Sequence, residues 1–254
     1  MNQETIHVTR HGSVWVITLN RPEARNAINR HMAEGIAAAA DELDTDPELA
    51  VGILTGHEQV FSSGMDLKAF LRGETPIIEG RGLAGITATP PRKPLIAAVN
   101  GFAFAGGFEL ALACDLIVAS ASALFALPEV RRGLVAGGGG VVQLPRRIPR
   151  GIAMEMVLTG EPITASRAYD IGLVNRVSSG SALDCALEIA NTIAKNAPLA
   201  IQASKEVIQR SQDWPLDQLY ALQNERIAPV LASDDAREGA SAFAEKRTPI
   251  WRGT

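Results

Sequence analysis

Residues 95–119, LIAAVNGFAFAGGFELALACDLIVA, decide the fold. Leu95–Val99 is a continuous apolar run, suited to a strand of a parallel sheet covered on both faces. A glycine-punctuated turn follows, then a helix from Gly107 to Cys114, then a second apolar strand over Leu116–Ala119. Strand, turn, helix and strand in succession predict an α/β core.

Working outward, the β-branched run Ser13–Leu19 predicts a strand closed by Asn20, Arg21 and Pro22, and Arg30–Leu43 a helix with an alanine-rich face. Ala50–Leu54 is the next strand. Residues 61–67, FSSGMDL, form a small-residue turn that feeds a helix, and the Gly/Pro-rich stretch Arg72–Pro94 is read as a mobile loop. Downstream, Leu124–Ala126 is a short strand and Gly137–Gly140 lead into a helix. Ser166–Ile171, Gly172 and Leu173–Val177 predict a helix, its glycine stop and a strand. From Leu183 on, strands cease, and helices are expected near 183–196, 199–211, 215–231 and 234–246. Leu216, Leu219, Tyr220, Ile227 and Val230 share one stripe there. The chain is expected to divide into an α/β core over 1–195 and a helical region over 196–254 that seeks a partner surface, either the core or another copy.

The bulk numbers fit a globular protein: 254 residues, 46% hydrophobic and 20% charged. With 24 Lys and Arg against 28 Asp and Glu, the net charge of -4 gives no overall pull toward nucleic acid or anionic lipid. Asn100, Glu109 and Asp115 interrupt the longest apolar region and argue against a membrane span. With no basic and apolar leader in the first residues and only Cys114 and Cys185, both in apolar segments, a reducing cytoplasmic setting is expected.

Two turns share one grammar. An apolar strand, a glycine turn and a helix start occur around Gly64-Met65 and again around Gly106-Gly107. The first N–H groups of a helix lack intrahelical acceptors and sit at the positive end of its dipole, so two such turns can cradle one oxyanion. Glycine at 64 and 106 lets a ligand approach the backbone, although glycine also serves as an ordinary turn residue. Glu109 stands three residues past Gly106 in apolar company, and Glu129 is a second acid in an apolar stretch. Complementing a helix dipole would account for Glu109, and a surface ion pair with Arg131 or Arg132 would account for Glu129.

Three blocks, FSSGMDL (61–67), NGFAFAGGFELALACD (100–115) and FALPEVRRGLVAGGGG (125–140), resemble the signature segments of the enoyl-CoA hydratase, or crotonase, family and occur in family order. RPEARNAIN (21–29) and FAEKRTPIWRG (243–253) are similar to two further family segments. The resemblance implies an α/β crotonase-like spiral of ββα units with a C-terminal helical region for trimerisation, trimers commonly pairing into hexamers. It implies a lyase that adds water reversibly and with syn geometry to a 2-enoyl-CoA thioester, giving a 3-hydroxyacyl-CoA through an enolate. Glu109 and Glu129 fall at the positions of the catalytic pair, and the backbone N–H groups of Met65 and Gly106 at those of the oxyanion hole. Ala24, Arg25, Ser63, Asp66, Leu67, Lys68, Gly107, Pro128, Phe243 and Lys246 fall where relatives meet the acyl-CoA. No cofactor is expected beyond the coenzyme A of the substrate. GGFELALA and FALPE are also similar to carnitinyl-CoA dehydratases, while Met65, Ala105 and Ala136 depart from the commonest family residues and leave the acyl pocket open.

Other readings fare worse. Gly101 to Gly107 lacks the Lys and Ser/Thr of a phosphate loop, and Gly137–Gly140 lacks the spaced dinucleotide fingerprint. His7, His11, His31 and His57 have no metal-ligand spacing, and no Gly-x-Ser-x-Gly elbow is present. A non-catalytic acyl-CoA-binding protein would not need both glutamates, and an enoyl-CoA isomerase would usually need only one.

Overall fold

A computed structural model describes residues 5–57 and 60–254. Its central sheet has six strands in the order Ile6–His11, Val14–Leu19, Val51–Gly56, Leu95–Val99, Leu116–Ser120 and Arg176–Ser178. The first pair is antiparallel and every later pair is parallel. Leu95–Val99 is apolar throughout because both faces are covered. Ala97 and Val99 face the main core, and Ile96 and Ala98 face the helix Ala182–Ile193. Ala182, Ala186 and Ala190, one helical turn apart, let that helix lie close on the sheet.

A second sheet joins Ile163–Thr164, Leu124–Ala126 and Phe102–Phe104, and Ser62 bridges in parallel to Ala103 beside it. Three successive units therefore repeat one path: a strand of the central sheet, a short extended piece in the second sheet, then a helix. Val51–Gly56 leads through Ser62 to the helix Leu67–Leu71, and Leu95–Val99 through Phe102–Phe104 to Gly106–Ala113. Leu116–Ser120 leads through Leu124–Ala126 to the 3-10 turn Pro128–Arg132. Each unit steps one strand sideways, which makes the chain a spiral and stacks the three strand-to-helix corners beside one another.

The expected strands and helices form with small shifts, and several features differ. Ile6–His11 pairs as an edge strand although its polar composition carries little strand signal, and Arg150–Thr159 is a further helix. The strand expected over Leu173–Val177 begins only at Arg176, because Leu173 and Val174 turn into the core. The expected mobile loop Arg72–Pro94 is instead packed. Ile77–Ile78 pairs with Gly82–Leu83, and Leu83, Ala84 and Ile86 are buried in the main core. Its glycines serve tight turning, not looseness.

Helices Pro198–Arg210, Leu219–Leu231 and Asp234–Glu245 close the chain. They attach through Asp115. Lys205 Nζ donates to Asp115 Oδ2 at 2.6 Å and to the Lys93 carbonyl at 2.9 Å, while Gln209 Nε2 donates to Asp115 Oδ1 at 2.9 Å. Asp115 Oδ2 also accepts the Leu95 N–H at 2.8 Å, tying the helices to the start of the central strand. No helix among the described residues is long and apolar enough to cross a membrane. Asp115→Ala would strand the largely buried Lys205 ammonium, so it should lower the unfolding free energy by about 3 kcal/mol. Denaturant unfolding followed by circular dichroism measures this, and a loss under about 1 kcal/mol would show that the clamp is dispensable.

Candidate active site

The first corner is built by backbone pairing. The Ile28 N–H donates to the Gly64 carbonyl at 2.8 Å and the Asp66 N–H to the Ile28 carbonyl at 2.9 Å, which fixes the peptides on either side of Met65. The Met65 N–H is left without an acceptor among the described residues. Gly64 has φ +93°, and a β-carbon there would lie 2.7 Å from the Ala105 methyl carbon and 2.8 Å from the Gly106 nitrogen. Only glycine lets the two corners touch.

The second corner supplies the matching donor. Ala105, at φ 51° and ψ -129°, precedes the helix Gly106–Ala113, and its carbonyl takes the N–H groups of Phe108 and Glu109. That leaves the Gly106 N–H, at the positive end of the helix, without an acceptor among the described residues. A β-carbon on Gly106 would be 3.4 Å from the Met65 nitrogen, so the two free amides are neighbours. Gly107 packs on Ser62, where a β-carbon would come within 2.5 Å of the Ser62 carbonyl oxygen.

Residues outside the sequence expectation hold this frame. Asn26 is fully buried, accepts the Arg21 N–H at 2.8 Å and donates to the Val60 carbonyl at 2.8 Å. Ser62 Oγ donates to the Asn26 carbonyl and accepts the Gly64 N–H. Arg21 reaches the Ala27 carbonyl and Asp66. An asparagine of this kind is detectable in sequence only as a polar residue between a charged turn and an apolar run.

The two acids occupy the second and third units. Glu109 is 5% exposed, and its Oε1 accepts the Gly140 N–H at 2.8 Å. A β-carbon on Gly138 would lie 2.5 Å from Glu109 Oε2, so the glycine run is the cradle of this carboxylate. Burial, reinforced by the nearby Glu129 charge, raises the Glu109 pKa to about 7 against the opposing Gly140 and Gly138 amides. Glu129 follows Pro128, which starts the 3-10 turn. Glu129 is 9% exposed, its Oε2 has no hydrogen-bond partner among the described residues, and burial raises its pKa also, with Arg132 opposing. A surface ion pair with Arg131 does not form, because Arg131 binds the Thr159 carbonyl and Glu161. A buried acid with an orphaned oxygen is unfavourable for stability, and groups of this kind cluster at functional sites.

Ser63, Leu67 and Lys68 flank the first corner, and the Ser63 N–H donates to the Arg25 carbonyl at 3.0 Å, which brings Ala24 and Arg25 to the same surface. The side chains of Arg25 and Lys68 are exposed. Asp66 caps the helix Leu67–Leu71 through the Lys68 and Ala69 N–H groups and pairs with Arg21, which holds its carboxyl below the usual range against the effect of burial. Phe243 and Lys246 lie elsewhere, at the end of the helix Asp234–Glu245, and Phe243 is 87% exposed. Among the described residues no group of His, Cys, Asp and Glu could hold a metal ion.

The chain is similar to known proteins by family, by sequence and by structure. The family model described as enoyl-CoA hydratase/isomerase matches residues 9–254. A carnitinyl-CoA dehydratase of Salmonella enteritidis is 46% identical, with 98% of this chain and 99% of that one covered. The crystal structure of an enoyl-CoA hydratase from Mycobacterium tuberculosis superposes with a TM-score of 0.97 at 52% identity, covering 99% of this chain and 100% of that one. One from Bacillus anthracis does so at 0.89 and 32%, covering 98% and 100%. Structures this similar carry the crotonase fold.

The raised Glu109 pKa has a stability consequence. Between 4.5, its ordinary value, and about 7 the folded state holds more protons than the unfolded one, so stability falls as pH rises through that window. Glu109→Gln keeps an acceptor for the Gly140 N–H and removes the charge. It should raise the unfolding free energy near pH 8 by up to ~3 kcal/mol and leave it unchanged near pH 4. Urea titrations at both pH values test this, and an equal gain at both would assign the effect to packing.

Proposed function

The chain belongs to the enoyl-CoA hydratase/isomerase family, and from that premise we propose that it adds water reversibly to a 2-enoyl-CoA thioester, as a hydro-lyase. The observation that carries this reading is the pair of buried acids, Glu109 and Glu129, beside two neighbouring backbone amides that lack acceptors among the described residues.

The chemistry explains why all four groups are needed. The thioester carbonyl oxygen accepts the N–H groups of Met65 and Gly106. Glu109, as carboxylate, takes a proton from water while the water oxygen bonds to C3. The electron pair of the C2=C3 bond moves toward the carbonyl oxygen as an enolate, where donors of this kind are worth roughly 3 kcal/mol each. Collapse of the enolate forms the C2–H bond with the proton of Glu129, and a proton passed between the acids restores the resting state. Addition from one side of the double bond, the syn outcome, follows if both acids face the same side. Dehydration is the reverse.

The pKa directions suit these roles. A base near 7 accepts a proton readily at neutral pH, and a buried acid with a raised pKa retains the proton it must give. An isomerase would have less use for two such acids. Arg25 and Lys68, cationic and exposed beside the first corner, suit the phosphates of coenzyme A, and Phe243 and Lys246 would join that site from another copy of the chain. The exposed Leu216, Tyr220 and Phe243 favour a homotrimer or a hexamer of paired trimers, with the residues after 195 as the contact region. The 46% identity to a carnitinyl-CoA dehydratase supports a second reading, dehydration of carnitinyl-CoA at the same site.

Glu109→Gln and Glu129→Gln should each lower turnover of crotonyl-CoA by about 10² to 10⁴-fold, with acyl-CoA binding retained. Loss of the conjugated thioester absorbance reports the rate, and near-normal rates in both variants would refute the roles. In the free enzyme kcat/KM should rise with pH through about 7 as Glu109 ionises. Rates with carnitinyl-CoA in parallel distinguish the two readings.

A further inference from the structure

One side chain that neither acid chemistry nor the coenzyme explains lies between the Gly106 corner and the glycine cradle of Glu109. Leu83 Cδ2 is 3.2 Å from where a β-carbon would sit on Gly106, the oxyanion donor, and 2.9 Å from where one would sit on Gly138, the cradle of Glu109. A single methyl group thus touches the glycine that serves the thioester oxygen and the glycine that serves the water-activating acid. Leu83 is 3% exposed.

The turn that delivers this methyl is strained and over-determined. Gly80, Gly82, Ala84 and Gly85 all have positive φ, and Ala84, the one with a β-carbon, is fully buried. The Leu83 N–H donates to Thr87 Oγ1 at 2.9 Å, the Ala84 N–H to the Pro76 carbonyl at 3.0 Å, and Arg81 Nε to the Gly85 carbonyl at 3.0 Å. Arg81 also pairs with Asp41 on the helix Arg30–Thr45 at 2.8 Å, and a β-carbon on Gly85 would lie 2.6 Å from the Ala37 methyl carbon of that helix. Backbone in unfavourable conformations persists where its surroundings enforce it and concentrates at functional sites. Here the result is one leucine at a fixed place.

We propose that Leu83 sets the width of the passage between the oxyanion donors and Glu109, admitting an unbranched acyl chain and excluding a methyl branch on the first carbon beyond the thioester carbonyl. This rests on the reading of the site as one for acyl-CoA thioesters. With the carbonyl oxygen on Met65 and Gly106 and the reacting carbon facing Glu109, the carbon between them must run past the Leu83 methyl. A branch there would compete with that methyl for the same volume. Pockets of this kind discriminate by about 10 to 200-fold per methylene.

The test is calorimetric binding of butyryl-CoA and 2-methylbutyryl-CoA to the full chain. These saturated ligands cannot be hydrated, so selectivity is read independently of turnover. The wild type should prefer butyryl-CoA by at least about tenfold, Leu83→Ala should bring the two Kd values to near equality, and the milder Leu83→Val should fall between them. Ile86→Ala, in the same turn and equally buried, should keep the wild-type preference. An unchanged preference in both Leu83 variants, no preference in the wild type, or an equal loss in Ile86→Ala would overturn the proposal. Crotonyl-CoA turnover measured on the same wild-type preparation separates the two inferences: absent hydration with the predicted selectivity refutes only the reaction, and intact hydration with unchanged selectivity refutes only Leu83.

Discussion

Two peptide turns from consecutive units of the spiral lie against each other without a side chain between them. Gly64 can occupy φ +93° and has no β-carbon to strike Ala105 or the Gly106 nitrogen. The second sheet brings the turns there, because pairing of Ser62 with Ala103 sets the first unit beside the second in register. The Met65 and Gly106 amides thereby become neighbours with no acceptor of their own among the described residues. Water would satisfy either amide alone. Side by side, they suit the role proposed for them, holding one oxygen that carries developing negative charge.

The third unit and the glycine run after it complete the arrangement. The same step across the sheet that sets Gly106 beside Met65 carries the Pro128–Arg132 turn beside the Gly106–Ala113 helix, and Glu129 arrives close enough for its charge to raise the pKa of Glu109. Burial is the larger cause for both acids, and the amides of Gly138 and Gly140 limit the effect on Glu109. Without those amides, burial would hold Glu109 protonated further above neutrality, against the role of base proposed for it. The glycines are needed because any β-carbon at 138 would collide with the carboxylate. Strain is concentrated around the same place: Ala84 and Ala105 both have positive φ, one in the turn that carries Leu83 and the other at the start of the helix that carries Glu109.

The periphery follows a different logic. Asp115 gathers Lys205, Gln209 and the Leu95 amide, so the closing helices are fastened to the strand that begins the second unit. Arg21, Asn26, Ser62 and Asp66 perform the corresponding task on the other side, exchanging hydrogen bonds among the segments that flank the first corner. Neither set touches the acids, yet both hold fixed the strands from which the acids are suspended.

The sequence by itself determined the central strands of the three units, the helices that follow the first two, the two glycine corners and the two acids, because apolar runs, glycine positions and isolated acids in apolar surroundings are local signals, whereas the short strand Phe102–Phe104 and the 3-10 turn Pro128–Arg132 carried no such signal. The packed state of Arg72–Pro94 was hidden. Its glycines read as freedom, whereas burial of Leu83 and Ile86 against a distant helix made them points of constraint. Asn26 and the Gly138–Gly140 cradle were hidden for the same reason, since each acts on a partner about 30 residues or more away. Which amides stayed free, which carboxylate oxygen lost its partner and which methyl came between Gly106 and the cradle of Glu109 depended on contacts across the spiral, and only the tertiary structure decided them.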